Sequence, residues 1–523
     1  MQNQEKVGIL GYGVYIPWQR IQTELVVRSR EKGKKDLPEI VDKVRNGLLL
    51  RYKSIAGYSE DSITMATEAA ENAVTMSGVE SKRIGTVVAG SESKPYSVGQ
   101  IARHVASFVG VGNHVFTADV EGACNAGMQA LSFVESDIKA DKAEYGLAIG
   151  SDIAQAPRGD TLEYAAGAGA GAFVLGKEGD FVATIEDIAP YSSLTMDFWR
   201  REDVPVPSHL GRTTVEAYIQ HVTGAIANLL QRHKNLRITD FDHVTFHQPS
   251  GYMPLKTCKA MMQASSNPID GDVAERMRVT EEYIEKRVKP WLRVLDTGNT
   301  YAASTPIAVA SILDKSKPGD DILAVSYGSG AYANATWIKV QEGIARKVGS
   351  IPTVQDYVER KNEINLRNYN DHIIARLRRF GEKIIPDKIL GRIESLEGEL
   401  FQGQCTECKR IFYPPREKCL NAECKGEIEL KKYPRRARLK KFVNYKREMR
   451  EKPELRTLFG LFSSNLDAYY NGEVLIVDVM PENLKAGEIL KSTIRVLHRD
   501  GLGGQITYGI AFAPDNLGKT IQS

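Results

Sequence analysis

What this 523-residue chain lacks narrows the field first. No stretch approaches the roughly 20 consecutive apolar residues that a membrane-spanning helix needs. The opening, MQNQEKVGILGYGVYIP, has no basic region leading into an apolar run, so the expectation is a cytoplasmic chain without a secretory leader. Cysteine is scarce: there are six, at 124, 258, 405, 408, 419 and 424. Four of them crowd between 405 and 424, which in a reducing compartment points to a metal rather than to disulfides. A strong charge of either sign is also missing. Lys and Arg number 69 against 66 Asp and Glu, a net +3, so total charge selects no class of partner.

What is present is a globular composition, 42% hydrophobic and 26% charged, which excludes disorder or a fibre for the bulk of the chain. The length exceeds what one core fills, so two or more domains are expected. Over residues 1–347, apolar β-branched runs at 7–10, 86–89, 145–149, 171–175, 243–246 and 322–326 alternate with amphipathic helical stretches. The stretch 62–76 is one of these, closed by Gly78 where a left-handed cap fits. That alternation predicts an α/β fold with largely buried sheets. YGLAIGSD followed by GAGAGAFVLG is echoed by DHVTFHQPS and ILAVSYGSGAYA, as a duplicated architecture would produce. Composition changes near 346–352, and a domain boundary is placed at 348–352. Residues 354–383 read as charged and helical. Short alternating runs at 438–445, 458–463, 473–480, 488–498 and 505–513, separated by turns, then predict a small β-barrel.

The segment 114–140 reads as a strand, a turn of small residues and a helix whose Met128, Leu131, Val134 and Ile138 form an apolar stripe. Cys124 sits at the start of that helix, where exposed N–H groups and the helix dipole are expected to lower the thiol pKa. Gly122, Ala123, Ala126 and Gly127 leave room for a substrate. On the residues alone, a buried structural cysteine and a nucleophile stand level. Glu92 and His247 each follow a strand directly, at the end where α/β sheets place ligands; each alone would pass as an ordinary surface side chain. Asn299 lies in the turn-rich DTGNTYAAS, and the glycine loop SYGSGAYA offers backbone amides around Ser329 for an oxyanion hole. Cys258 reads as a packing residue.

ACNAGMQAL, FHQPSGYMPLK, GNTYAAS and YGSGA resemble, in order and spacing, the motifs of the thiolase superfamily. With GSESKPY and SDIAQAPRGDTLEYAAGAGAGAFVLG, residues 5–340 look like an archaeal-type 3-hydroxy-3-methylglutaryl-CoA (HMG-CoA) synthase. The resemblance implies a five-layered αβαβα sandwich, a homodimer or higher oligomer, and coenzyme A thioesters as substrates. It implies condensation of acetyl-CoA with acetoacetyl-CoA for isoprenoid synthesis by the mevalonate route. Cys124 would carry the acetyl group, Glu92 would take a methyl proton, and His247 with Asn299 would hold the acetoacetyl group. Lys256, Tyr301, Ser304 and Ser329 fall in the same motifs, at positions implied for substrate binding. A biosynthetic thiolase would place a second cysteine in the glycine loop, where this chain has YGSG; decarboxylating ketosynthases do not need Glu92. A related Claisen-type synthase, or a scaffold organising a thiolase complex, are the alternative readings.

Cys405-x-x-Cys408 followed by Cys419 and Cys424 matches a four-thiolate zinc ribbon, with the second pair spaced more widely than usual. CTECKRIFYPPREKC and the barrel signals after it resemble the small zinc-ribbon/OB-fold proteins that accompany thiolases and HMG-CoA synthases in archaea. The resemblance implies Zn²⁺, and a domain that docks on the condensing enzyme, contacts CoA and bridges to an acetoacetyl-CoA thiolase. The expected organisation is a condensing domain at 1–347, a linker with a helical segment at 348–400, a ribbon at 401–430 and an OB-type barrel at 431–523. Ten Lys or Arg against one Glu between 431 and 450 invite a nucleic-acid reading. The aromatics are not interleaved as a base-stacking platform requires, so CoA phosphates or solvent are the expected neighbours of that run.

Overall fold

The computed structural model of this protein describes residues 6–201, 204–263, 271–378, 382–383, 401–412, 415, 418–419, 421, 423–432, 434–449, 452–463, 470–471, 474–499 and 506–515. The chain forms two compact units, one of Met1–Gly57 with Asp61–Tyr369, the other of Asn370–Ser523 with the short segment Tyr58–Glu60.

In the first unit the strands are β1 (Gly8–Tyr15), β2 (Ile84–Gly90), β3 (Phe116–Val120), β4 (Tyr145–Ile153), β5 (Ala168–Gly176), β6 (Ala183–Thr195), β7 (His243–Phe246), β8 (Asp321–Gly328) and β9 (Gly330–Val340). They hydrogen-bond in the order β7-β8-β9-β6-β1-β5-β4-β2-β3. The two halves of this array meet where β1 pairs with β6, Gly8 opposite Thr184 and Ile9 opposite Ala183. Each half repeats one plan. β2 runs parallel to β4, which is antiparallel to β5, which is antiparallel to β1. Likewise β7 runs parallel to β8, which is antiparallel to β9, which is antiparallel to β6. The duplication expected from the sequence is therefore visible, with one change of register. The counterpart of His243–Phe246 is Ile84–Gly90, not Tyr145–Ile153, because the shared property is a parallel strand ahead of a buried helix.

Five helices place the layers: α1 (Ser62–Ser77), α2 (Ala126–Lys139), α3 (Gly211–Arg232), α4 (Tyr252–Gln263) and α5 (Ser304–Leu313). Asp61 starts α1 with a capping box, its carboxylate accepting from Thr64 N while its own N–H donates to Thr64 Oγ1; Gly78 ends it at φ 71°. α1 covers the outer face of the first half-sheet and α3 that of the second. Between the half-sheets lie α2 and α5, the latter buried at all ten positions. At their crossing a side chain on Gly127 would meet Ala302 O at 2.3 Å, and one on Gly150 the same atom at 2.4 Å. Only glycine lets the central helices and strand approach so closely. The predicted stripe Met128, Leu131, Val134 and Ile138 is buried here, as is Cys258 on α4.

The boundary expected at 348–352 falls instead after Tyr369. The charged residues beyond 352 are a solvent face, and their partners belong to the first unit. Val354 N donates to Asp314 Oδ2 at 2.7 Å, and Asn362–Glu363 pairs in parallel with Gln19–Gln22. Tyr369 OH donates to Glu163 Oε1 at 3.1 Å. Most of the expected linker, residues 384–400, lies outside the described residues.

The second unit contains β10 (Arg436–Met449), β11 (Lys452–Ser463), β12 (Val474–Ile476), β13 (Ile489–Arg499) and β14 (Ile506–Pro514), close to the five runs read from the sequence. They pair as a closed ring, β10-β11-β12-β14-β13 and back to β10, in which β12 and β14 are parallel and every other pairing is antiparallel. Closure removes the sheet edges that would otherwise invite aggregation. A separate small sheet carries the cysteine cluster: Phe401–Cys405 lies between Ile411–Phe412 and Ile428–Lys432, antiparallel to both. No helix among the described residues is long and apolar enough to cross a membrane.

Candidate active site

Cys124 lies in a 3₁₀ turn, Ala123–Asn125, that feeds α2. Ala123 opens the turn with φ 47°, a left-handed conformation uncommon for a residue with a side chain. The turn is clamped from the second half. Ser326 Oγ donates to Asn125 Oδ1. A side chain on Gly328 would strike Gly122 O at 2.1 Å, so β8 can pass beneath the turn only as glycine.

The second half builds the same device. Tyr301, also at φ 47°, opens the 3₁₀ turn Tyr301–Ala303, which feeds α5. Asn299 Oδ1 accepts from Tyr301 N at 3.0 Å, fixing the amide beside the turn.

These turns bring Cys124, Glu92, Asn299 and Tyr301 together. The Cys124 thiol, 7% exposed, lies beside the carboxyl of Glu92 and the amide of Asn299. Burial, and then the negative fields of Glu92 and Asp152, push this thiol well above its ordinary range. That corrects the expectation of a thiol lowered by its helix start, since removal from water and two nearby carboxylates outweigh the helix end. Glu92 is pushed up to about 8, first by burial and then by Asp152. Its Oε1 is buried without a hydrogen-bond partner. Tyr301 is likewise raised, by burial first and then by Glu92 and Cys124, so its phenol keeps its proton.

His247 follows β7 and is 2% exposed. Its backbone N–H extends the parallel ladder to Val325 O at 2.7 Å, while the next residue's N–H, that of Gln248, donates to Ser304 Oγ at 3.2 Å. Ser304 thus ties the His247 strand end to the Tyr301 turn. Burial pushes His247 down to about 3, which keeps the imidazole neutral, and its Nδ1 has no partner. Ser329 occupies the single-residue turn between β8 and β9, half-buried, with its hydroxyl against Tyr327. Lys256 is on α4 with its ammonium 5.3 Å from the Tyr252 ring centroid.

The chain aligns with a family model described as thiolase, N-terminal domain, over residues 52–175. It is 38% identical over 366 residues to the hydroxymethylglutaryl-CoA synthase of Pyrobaculum arsenaticum, covering 70% of this chain and 97% of that protein. The enzyme of the same name from Methanopyrus kandleri is 37% identical, with 96% of its length covered, and that of Archaeoglobus fulgidus 36%, with 98%. This chain belongs to the hydroxymethylglutaryl-CoA synthase family. Among solved structures, MvaS in complex with 3-hydroxy-3-methylglutaryl coenzyme A matches with a TM-score of 0.62 at 22% identity, over 70% of this chain and 91% of that one. A synthase complexed with CoA matches at 0.59 and 23%, over 70% and 90%. These share its thiolase-like α/β fold.

Sequence reading missed Asp152, which organises the synthase site. Asp152, at the end of β4, is wholly buried and accepts five hydrogen bonds. Four go to Oδ1, from Ser91 Oγ at 2.9 Å, Glu92 N at 2.8 Å, Ser93 N at 2.9 Å and Ser93 Oγ at 2.6 Å; Ala302 N donates to Oδ2 at 2.9 Å. It fastens the Glu92 loop of the first half to the Tyr301 turn of the second. A carboxylate directly after the strand YGLAIGS was the available signal, of the same kind that pointed to Glu92.

In the second unit the sulfurs of Cys405, Cys408, Cys419 and Cys424 all lie within 4.8 Å of one another. Cys405 and Cys424 are 3.4 Å apart, and Cys408 and Cys419 3.5 Å.

Proposed function

We propose that this chain condenses acetyl-CoA with acetoacetyl-CoA to give HMG-CoA and CoA through an acetyl group carried on Cys124, the reaction its family name denotes. The observation that carries the reading is the buried Cys124 thiol set beside both Glu92 and Asn299. Cys124 Sγ attacks the acetyl thioester carbon; its proton passes to Glu92 and on to the departing CoA sulfur. Glu92 then removes a methyl proton from the acetyl thioester, and the resulting carbon nucleophile attacks the ketone of acetoacetyl-CoA. His247, held neutral, serves as a hydrogen-bond donor to that ketone, with Asn299 beside it. Water releases HMG-CoA by hydrolysing the remaining thioester. A carboxylate base suits this chemistry because no decarboxylation supplies the carbanion. Tyr301, Ser304, Ser329 and Lys256 are assigned to substrate binding. Incubation with both thioesters, followed by mass, tests the reading. The expected product has the mass of HMG-CoA and requires both substrates; equal turnover of other acyl pairs would favour a different Claisen-type synthase.

For the second unit we infer a zinc ribbon followed by an OB-fold barrel. Four thiolates at about 2.3 Å from one tetrahedral Zn²⁺ would lie about 3.8 Å from one another. The four sulfurs, 3.4 and 3.5 Å apart in two pairs and all within 4.8 Å, bracket this spacing, so Cys405, Cys408, Cys419 and Cys424 suit the metal. Zn²⁺ there would crosslink a sheet too small to bury a core of its own. The ring order, with its single parallel pairing, supports the OB reading. On this reading the tail is a platform for CoA or for a thiolase supplying acetoacetyl-CoA, and the condensing unit works as a homodimer or higher oligomer.

A further inference from the structure

We propose that Arg200, which neither the motifs nor the site residues above include, is the positioning residue that holds Glu92 for proton abstraction and sets a positive charge beside it; this rests on the reading of Glu92 as the base. Arg200 leaves the strap that joins β6 to α3. Three anchors fix the strap. Asp197, wholly buried, accepts from Gly330 N at 3.0 Å and from Tyr327 OH at 3.2 Å, and its carbonyl accepts from Leu210 N at 2.8 Å. Phe198 sets its ring edge-on to Tyr301, centroids 6.0 Å apart. Phe198–Trp199 pairs with Ser208–His209, and His209 Nε2 lies 3.0 Å from Asp160 Oδ1.

From this footing the Arg200 guanidinium reaches back over the site. One nitrogen donates to the backbone carbonyl of Glu92 at 2.5 Å and another to Gln155 Oε1. Gln155 is itself gripped by Tyr301, whose hydroxyl donates to its carbonyl at 2.8 Å. Asp152 holds Glu92 by its N–H, as described above, and Arg200 holds it by its carbonyl. The peptide units on both sides of the base are therefore fixed, leaving the side chain aimed at Cys124.

The charges around Glu92 explain why a cation belongs there. Asp152 is a carboxylate on β4, the Cys124 thiol comes from its 3₁₀ turn, and the phenols of Tyr301 and Tyr332 come from the second half. Every one of these is neutral or negative when ionised. Arg200 supplies a positive field that acts on Glu92 against these groups. An arginine delivers that charge without titrating itself and spans two acceptors with its planar fork.

The test measures the condensation rate against pH for wild type, Arg200→Lys and Arg200→Met, with acetylation of Cys124 by labelled acetyl-CoA run beside it. Losing the cation raises the pKa of the base, and a base works only when ionised. In Arg200→Met the rising limb should therefore move to higher pH by about one unit, with a condensation loss of about tenfold at neutral pH that shrinks toward alkaline pH. Acetyl-enzyme should still form. Arg200→Lys should keep the limb near its wild-type position. A limb that stays in place with a uniform loss in both half-reactions would reduce Arg200 to a packing role and overturn the proposal, as would an unchanged rate. If Arg200→Met fails to fold, solvent deuterium uptake into the acetyl group of Arg200→Lys, compared with wild type across pH, decides between the same two outcomes. Glu92→Gln separates the two readings: wild-type condensation in that variant removes the base itself, whatever Arg200 does.

Discussion

Apart from Cys258, which packs in the core, the chain uses cysteine in two ways, and the two regions share almost nothing except the residue. In the first unit one sulfur stands alone, buried, with a carboxyl and an amide as partners and two carboxylates pushing its pKa upward. In the second, four sulfurs face one another at 3.4 to 4.8 Å, with only short strands around them. The difference teaches that partners decide what a thiol does. A lone sulfur beside a proton acceptor is arranged to lose its proton during reaction; sulfurs that converge on one point are arranged to share a cation.

The sharpest way to break this contrast is to remove the lone sulfur. Cys124→Ala should abolish labelling by acetyl-CoA altogether, because among the described residues Glu92 and Asn299 flank this sulfur and none of the clustered ones; label persisting on the variant would mean that one of the clustered sulfurs can do the same work. Changing its partner comes next. Glu92→Gln should cost condensation on the order of 10²–10⁴ in rate, while acetylation slows less, since an amide still fills the site. Rapid quench of the two half-reactions distinguishes these losses; equal losses would show that Glu92 acts mainly on the sulfur. His247→Ala should weaken the acetoacetyl-CoA half by about tenfold to a hundredfold and leave acetyl transfer nearly intact, which separate KM and kcat values for each thioester will show. The smallest catalytic effect is expected at the far end of the comparison. The double change Cys405→Ser with Cys408→Ser should lower zinc from about one ion per chain to none and open the ribbon, with little change in the rate of either half-reaction. Metal analysis with amide exchange over 401–432 checks this, and a zinc-free ribbon that stays protected would remove the metal assignment.

Much of this was legible from the residues. Strand runs, the Gly78 cap and the barrel strands sit where alternation and turn signals placed them, because those signals are local. Cys124, Glu92 and Asn299, which the motifs singled out, lie side by side. The thiol's direction of shift was not legible: a helix start is visible in sequence, whereas burial against Asp152 depends on folding. The domain boundary was misplaced for the same reason, since charged residues after 352 reveal which face meets water but not which strand Asn362 will join. Arg200 stayed hidden because its partners are a backbone carbonyl and an amide far away in the chain.

The layout of the strands also governs how the protein can be made. β6, the inner strand of the second half-sheet, has its partner in β9, and Gln19–Gln22, the middle strand of a small sheet, waits for Asn362–Glu363 on one side. On a ribosome, which releases the N-terminal part first, β1 therefore emerges long before the strand that closes its sheet, and the half-built second sheet must hold open edges until residue 340 is out. By the time the first clustered cysteine, Cys405, is synthesised, the catalytic unit already has every strand it needs. The tail is thus added to a finished condensing unit, and a ribosome stalled inside the tail would still carry one.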